Sequence, residues 1–389
     1  MDRQTLPTLL IPRRSVKVPR FCASDLINRR SDPSLASIFH KLEKLQSFPC
    51  TPSEPPQYDM PSLFVNCDWG TTRLRMRAIA VRPWQLLSEY RSDDGTASIS
   101  AHYQGAERPH AFATILTEGL VPLASQQGQQ LAGAPILISG MASSSIGWRE
   151  LPYASLPISL DGSELSWQEL PPVASVVGEH PVLLISGVRS QTDIMRGEEC
   201  ELLGLFTLPE VAELAANSVV IKPGTHSKHM RIRDRALVDF QTFMTGELFA
   251  VLSKHSVLKH SLSEEPAGPK VPQISEDFLA GVEHGRSHPL SSAMFQVRTR
   301  DVLANLPAEG NRYFLSGVLV GAELAGLASE AERTPIVLAA TEPLATSYRE
   351  ALEHLGLKNQ LTVVPPDDVE LLSARGQSLL LAHFVSAKP

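Results

Sequence analysis

Residues 63–78 read Leu63-Phe64-Val65-Asn66-Cys67-Asp68-Trp69-Gly70-Thr71-Thr72-Arg73-Leu74-Arg75-Met76-Arg77-Ala78. The first six have the density of apolar residues expected of a buried strand. Gly70-Thr71-Thr72 is a turn. From Arg73 onward polar and apolar residues alternate with the period of a half-buried strand. Residues 63–81 are therefore predicted to form a β-hairpin with a glycine at its tip. A second hairpin of this kind follows about 155 residues later. There Ser218-Val219-Val220-Ile221-Lys222 is a strand, Pro223-Gly224-Thr225 breaks it, and the chain turns back through Ser227 and Lys228. Helix-rich chain follows each. That outline predicts an α/β protein of two similar lobes rather than one doubly wound sheet.

Working outward, Pro135–Gly140 and Pro181–Gly187 read as short buried strands ending at glycine. Helices are predicted over His110–Leu123, Asp193–Phe206, Thr245–Leu252 and Tyr313–Leu327. The alternation of Met230–Arg233 and Leu237–Phe240 about Asp234-Arg235 predicts another hairpin. Segment 261–274 reads as a loop. Ile336–Ala340 is a strand leading into a helix from Leu344 to Leu355. Thr362–Val364 is a last strand, and Val369–Phe384 a closing helix. The expected lobes are residues 61–215 and 216–389.

The first sixty residues differ from the rest. They hold eight of the chain's 30 prolines, and nine Lys and Arg against six Asp and Glu, in a chain of 389 residues with a net charge of −7. A shift of this kind marks a boundary, and residues 1–60 are expected to be a disordered tail. Leu35–Leu45 is its one helical candidate, short enough to be marginal in isolation.

Composition excludes several classes. Hydrophobic residues make up 43% and charged residues 20%, which is ordinary for a globular domain. No apolar run approaches the roughly 20 residues of a spanning helix. The acidic balance argues against nucleic-acid or anionic-membrane partners. The four cysteines have no zinc-type spacing and fit a reducing cytoplasm.

Four motifs carry candidate chemistry. In Asp68-Trp69-Gly70-Thr71-Thr72, a carboxylate at a strand end can hold Mg²⁺, a hard ion that takes oxygen ligands. Gly70 lets backbone approach a phosphate, and Thr71 and Thr72 supply hydroxyls. In Gly224-Thr225-His226-Ser227-Lys228 the same logic recurs with Ser227 and Lys228 added. No P-loop is present. Met195-Arg196-Gly197-Glu198-Glu199 sits at a helix start, where acidic residues can merely complement the helix dipole. Alternatively, a glutamate there serves as general base, with Arg196 pairing an anion. The loop from Gly140 to Tyr153 is rich in Gly, Ser and aromatic residues. It suits either sugar binding, with Trp148 as a stacking ring, or a plain connection.

With these blocks in view the chain resembles the 2-keto-3-deoxygalactonokinase family. The matching blocks are DWGTTRLR (68–75), GMASSSIGWRELPY (140–153), MRGEE (195–199), LLGLF (202–206), PGTHSK (223–228), DFQTFMTGEL (239–248) and FLSGVLVGAEL (314–324). The resemblance implies the actin-like ATPase architecture, two ribonuclease-H-like lobes around a nucleotide cleft. It also implies ATP and Mg²⁺ as cofactors and a sugar acid as substrate. On this analogy Gly70, Thr71 and Thr72 form one phosphate hairpin, and Gly224, Thr225, Ser227 and Lys228 the other. Ala340 and Thr341 fall at the adenosine-binding turn, where glycines are common. Gly197-Glu198 occupies the place of a Gly-Asp pair that carries the catalytic base in glycerol-kinase relatives, which favours Glu198 over Glu199. Asp68 would position Mg²⁺, and Arg196 or Arg189 would meet the substrate carboxylate. The rivals are a kinase of another sugar acid on this scaffold and a non-catalytic, nucleotide-gated binding protein. Homo-oligomerisation stays open.

Overall fold

The computed structural model describes residues 60–264, 276–329 and 334–386. The expected tail, its helical candidate Leu35–Leu45 and most of the loop predicted at 261–274 lie outside the described residues. Residues Tyr58–Pro389 form one compact unit of contacts.

The first sheet begins with β1 (Leu63–Trp69), β2 (Leu74–Val81), β3 (Trp84–Ser92) and β4 (Ile136–Gly140). Three short strands and two longer ones follow: β5 (Ala154–Ser155), β6 (Ile158–Ser159), β7 (Trp167–Ser175), β8 (Gly178–Ile185) and β9 (Val188–Arg189). Its order is β3-β2-β1-β4-β8-β7. Strands β1 to β3 form an antiparallel meander, and β4 and β8 add in parallel. The predicted hairpin is present, with Asp68 directly opposite Arg75.

The second sheet contains β11 (Asn217–Lys222), β12 (Ser227–Arg233), β13 (Ala236–Phe243), β14 (Ile336–Leu338) and β15 (Leu361–Val363). Its order is β15-β14-β11-β12-β13-β6. Again a meander is followed by two parallel strands. The same five-strand pattern thus occurs twice, as two ribonuclease-H-like lobes require. Strand β6 crosses from the first half of the chain to pair with β13.

The faces of each sheet follow from alternation along its first strand. On β1, Phe64 points into the central core, while Val65, Cys67 and Trp69 point to the outer side. On β11, Val220 joins the central core, and Val219 and Ile221 the outer one. Each fully buried aliphatic side chain contributes about 1.5–3 kcal/mol, so alternation fixes which face each sheet buries. Helices α1 (Thr96–His102) and α2 (Glu107–Gln127) lie on the outer side of the first sheet. Helix α3 (Glu198–Leu205) fills the central core.

Besides a single turn at Pro209–Ala212, the remaining helices are α4 (Thr245–His255), α5 (Glu276–Ser287), α6 (Leu290–Ala304), α7 (Ala308–Ser329), α8 (Leu344–His354), α9 (Pro366–Glu370) and α10 (Leu372–Ser386). Helices α5, α7 and α8 cover the outer face of the second sheet. Helix α10 returns to the first sheet. Asn66 Nδ2 donates to Ser373 Oγ at 3.1 Å and to Gln377 Oε1 at 2.9 Å. Gln377 Nε2 donates to the Cys67 carbonyl and to Ser139 Oγ. Among the described residues no helix is long and apolar enough to cross a membrane.

Two sequence expectations of secondary structure need correction. The helix expected from Asp193 starts at Glu198. Ile194–Met195 instead form strand β10, paired with β9, and Gly197 takes a φ of 111°, which no helix accommodates. The closing helix is two helices, broken at Leu371. Strands β3, β5, β6, β7 and β9 and helices α1, α5 and α6 were not anticipated.

Candidate active site

The two Gly-Thr hairpins face each other across a cleft of about 500 Å³, which also receives the start of α3. Asp68, one residue before the end of β1, lines the cleft. Because the hairpin register sets Arg75 opposite, Arg75 Nη2 lies 2.5 Å from Asp68 Oδ2. The Asp68 charge is the main reason the Arg75 guanidinium sits even further above its ordinary value. The backbone of the Gly70–Thr72 turn is held from behind. Gly70 N–H donates to the Arg73 carbonyl, and the Gly70 and Thr71 carbonyls accept from Thr96 and Ala97 at the start of α1. Thr71 lines the cleft. Thr72 lines a second cavity of about 560 Å³ on the other side of Asp68, which Thr341 also reaches.

In the second hairpin, Gly224, Thr225 and Lys228 line the cleft. The Thr225 carbonyl accepts from Glu247 N–H at 3.1 Å, so the start of α4 braces this turn. Lys228 is nearly buried. Its Nζ donates to the His226 carbonyl and lies 3.0 Å from Glu198 Oε1. Ser227 is fully buried and is not at the cleft: its Oγ donates to Glu323 Oε1 at 2.8 Å. The sequence reading of Ser227 as a phosphate ligand is corrected on that ground.

The first turn of α3 separates two neighbouring glutamates. Gly197, in the left-handed region, lies so close to Gly140 that an added Cβ would sit 3.2 Å from the Gly140 Cα. This approach brings Glu198 to the cleft, where its Oε2 accepts from Arg196 N–H at 3.1 Å. Glu199 points the other way. It is 2% exposed and accepts from Gly197 N–H. Burial, and then the Glu198 charge, push its carboxyl up to about 8. Glu201, one turn after Glu198, lines the cleft and pairs with Lys222 at 3.0 Å. Burial raises its carboxyl as well.

Three carboxylates therefore face the cleft, each opposite its own cation. Among the described residues no group of three His, Cys, Asp or Glu side chains is placed to hold a metal by itself. That donor set suits Mg²⁺, which binds through one or two carboxylates together with waters and substrate phosphates rather than in an all-protein cage.

The expected substrate contacts separate clearly. Arg196 lines the cleft from a buried position. Its Nη1 donates to Ser143 Oγ at 2.6 Å and its Nη2 to the Leu151 carbonyl, and the guanidinium lies 4.1 Å over the Tyr153 ring. Its Nε is buried without a hydrogen-bond partner. Arg189 is exposed on β9, bonds Ser155, and lines neither cavity. Trp148 is 8% exposed and packs in the core against Phe112 and Trp69, so it stacks on no ligand; Tyr153 is the ring that this loop brings to the cleft. Ala340 is buried. Four cleft residues were missed: Arg75, Tyr153, Glu201 and Lys222. The spacing across the first hairpin pointed to Arg75, and the i, i+3 step from Glu198 to Glu201. Nothing local marked Lys222, and within the aromatic loop nothing set Tyr153 above Trp148.

The sequence profile of the 2-keto-3-deoxy-galactonokinase family matches residues 68–369. The chain belongs to this family. Among 2-keto-3-deoxy-galactonokinase relatives, it is 34% identical over 301 residues to the Rhizobium meliloti (strain 1021) protein named "Probable 2-dehydro-3-deoxygalactonokinase", covering 75% of this chain and 89% of that protein. It is 29% identical over 299 residues to the 2-dehydro-3-deoxygalactonokinase of Escherichia coli (strain K12), covering 76% and 91%. The crystal structure of a Sinorhizobium meliloti protein assigned to the same galactonokinases superposes with a TM-score of 0.67 at 30% identity, over 82% of this chain and 99% of that one. The span matched by the galactonokinase profile contains both Gly-Thr turns, the start of α3 and β14, and every residue that lines the cleft.

Proposed function

We propose that this kinase transfers the γ-phosphate of ATP to the 6-hydroxyl of 2-dehydro-3-deoxy-D-galactonate, a step of galactonate catabolism. The observation that carries the reading is the convergence on one cleft of Asp68, Glu198 and two Gly-Thr turns. Phosphoryl transfer needs little covalent help from a protein; it needs positioning and charge. Glu198 accepts the hydroxyl proton as the oxygen attacks. The backbone and hydroxyls of Gly70–Thr72 and Gly224–Thr225 hold the phosphates, with the Lys228 ammonium beside them. Thr341, past the buried Ala340, borders the adenosine side. Asp68, with Glu201 behind it, would hold Mg²⁺, which when bound neutralises phosphate charge.

The substrate carboxylate is given to Arg196. Among the described cleft residues Arg75, Lys222 and Lys228 each pair with a carboxylate, whereas Arg196 donates to neutral oxygens. The neighbouring Glu199 is held protonated by burial. Arg196 thus brings an uncompensated positive charge to the cleft, and charge-assisted pairing with a carboxylate is the interaction it lacks. On strand membership we take residues 61–215 and 216–389 as the two lobes, with β6 and α10 as the segments that cross between them.

The test is ADP release against a panel of 2-keto-3-deoxy sugar acids, with the phosphorylated position read by NMR. ATP-dependent 6-phosphorylation of the galactonate-derived acid above its epimers supports the reading. A stronger preference for another acid would make this a different sugar-acid kinase, and no turnover with any of them would leave the nucleotide-gated binding protein.

A further inference from the structure

Block 314–324 of α7 is one of the segments marked out in the sequence, and nothing in the reaction as proposed uses it. It carries Glu323, whose side chain is 1% exposed. Each oxygen of this carboxylate accepts two hydrogen bonds. Oε1 takes them from Ser227 Oγ at 2.8 Å and His229 Nε2 at 3.0 Å. Oε2 takes them from Tyr348 OH at 2.7 Å and, very closely, from Thr245 Oγ1. A carboxylate has about four lone-pair sites, and all four are used. Burial and the Glu323 charge keep the Tyr348 phenol far above its ordinary value, so it stays a donor.

An isolated buried carboxylate is costly, and a fully hydrogen-bonded one is tolerated only in the arrangement that satisfies it. The donors here bound the second Gly-Thr hairpin. Ser227 is the first residue of β12 after that turn, and His229 follows two residues on. Between them stands Lys228, whose Nζ reaches Glu198. Thr245 opens α4, whose Glu247 N–H holds the Thr225 carbonyl. Gly246 in the same turn lies so close that an added Cβ would be 2.5 Å from the Gly224 carbonyl oxygen. Glu323 itself lines no part of the cleft.

We propose that Glu323 is a positioning residue for the nucleotide: through Ser227 and Thr245 it fixes the second hairpin in the shape that receives the phosphates of ATP, without touching them. This rests on the reading of that hairpin as phosphate-binding. A packing role alone would lower stability and leave the two substrates equally affected. Positioning of the hairpin predicts a split, because the site given to the sugar acid hangs from Ser143 and Leu151 on other elements.

The experiment compares Glu323→Ala, Ser227→Ala and Thr225→Val in the full chain by steady-state kinetics with each substrate varied in turn, after thermal melting has verified folding. In Glu323→Ala the KM for ATP is expected to rise about tenfold or more while the KM for the sugar acid stays within about twofold. Ser227→Ala moves the KM for ATP in the same direction by less. A raised KM for ATP in Thr225→Val with an unchanged one in Glu323→Ala overturns the proposal and leaves the hairpin reading standing. An unchanged KM for ATP in Thr225→Val and in Glu323→Ala overturns both. Equal rises in the two KM values of Glu323→Ala reduce Glu323 to a packing residue and overturn the proposal. Should Glu323→Ala not fold, Ser227→Ala carries the test alone, and a KM for ATP indistinguishable from the parent's overturns the proposal.

Discussion

Glu198→Gln keeps the side chain's length and its hydrogen bond from Arg196 N–H but removes its ability to accept a proton. If Glu198 is the base, kcat falls by about 10²–10⁴, and ATP affinity, set by the hairpins, hardly changes; stopped-time ADP release and a nucleotide-binding titration check the two halves. Glu199→Gln is expected to behave differently. The folded Glu199 carboxyl keeps its proton up to about pH 8, whereas the unfolded one releases it near the ordinary 4.5. Between those values the folded state binds more protons, so rising pH favours unfolding. Glutamine has no such dependence. Glu199→Gln should therefore match the parent's unfolding free energy near pH 4.5 and exceed it progressively toward pH 8, by about 1–4 kcal/mol, with kcat near normal. A constant difference across that range would contradict the buried, protonated carboxyl. In the sequence these two residues differed only by analogy with a distant kinase group. The environment that separates them comes from Gly197 meeting Gly140, a contact between segments more than fifty residues apart. For the same reason Trp148 was misread: aromatic loop residues look alike until the core claims one of them.

Helices α5 and α7 touch along four glycines, Gly281 and Gly285 on one, Gly317 and Gly321 on the other. A Cβ on Gly317 would collide with the Phe278 carbonyl, and one on Gly285 with the Val318 carbonyl. Gly326 in α7 has open space around an added Cβ. Gly317→Ala should therefore destabilise by about 1–3 kcal/mol through overpacking, even though alanine favours a helix by about 1 kcal/mol. Gly326→Ala should be neutral or slightly stabilising. Urea denaturation of both variants decides, and equal stabilities would mean that the helices do not pack backbone to backbone. Helices α5 and α6 escaped the sequence reading for a related reason. Close contact here is made by glycine, which carries no hydrophobic signal. Helix α6 buries only Ala293 and Val297 and leaves Phe295, Val302 and Leu303 exposed, so no apolar stripe announces it. The strands that carry the site were legible because alternation and a glycine turn coincide at 63–81 and again at 218–233.

The repeat of a Gly-Thr hairpin in two halves of the chain was enough to foresee two lobes, since each hairpin opens the same five-strand pattern. A chain beginning at Met60 should keep the melting temperature of the full chain and its kcat/KM within about twofold, because the compact unit and the family match both lie beyond the first 57 residues; loss of soluble protein on this truncation would refute it. The route of the last helix was not legible. Periodicity shows that α10 buries a face, and nothing in the periodicity says which sheet receives it; Asn66, Ser139 and Gln377 settle that through hydrogen bonds across 311 and 238 positions. That return has a bearing on how the protein is made. During synthesis the meander of β1 to β3 leaves the ribosome early, yet the buried Asn66 Nδ2 meets its acceptors Ser373 and Gln377 only when residues 372–386 have followed. Until then the first sheet is a half-built surface in need of shelter. The second sheet waits for the same helix, since Val220 and Val337 share the central core with Leu372 and Phe384, so both halves of the enzyme finish folding together once that helix has emerged.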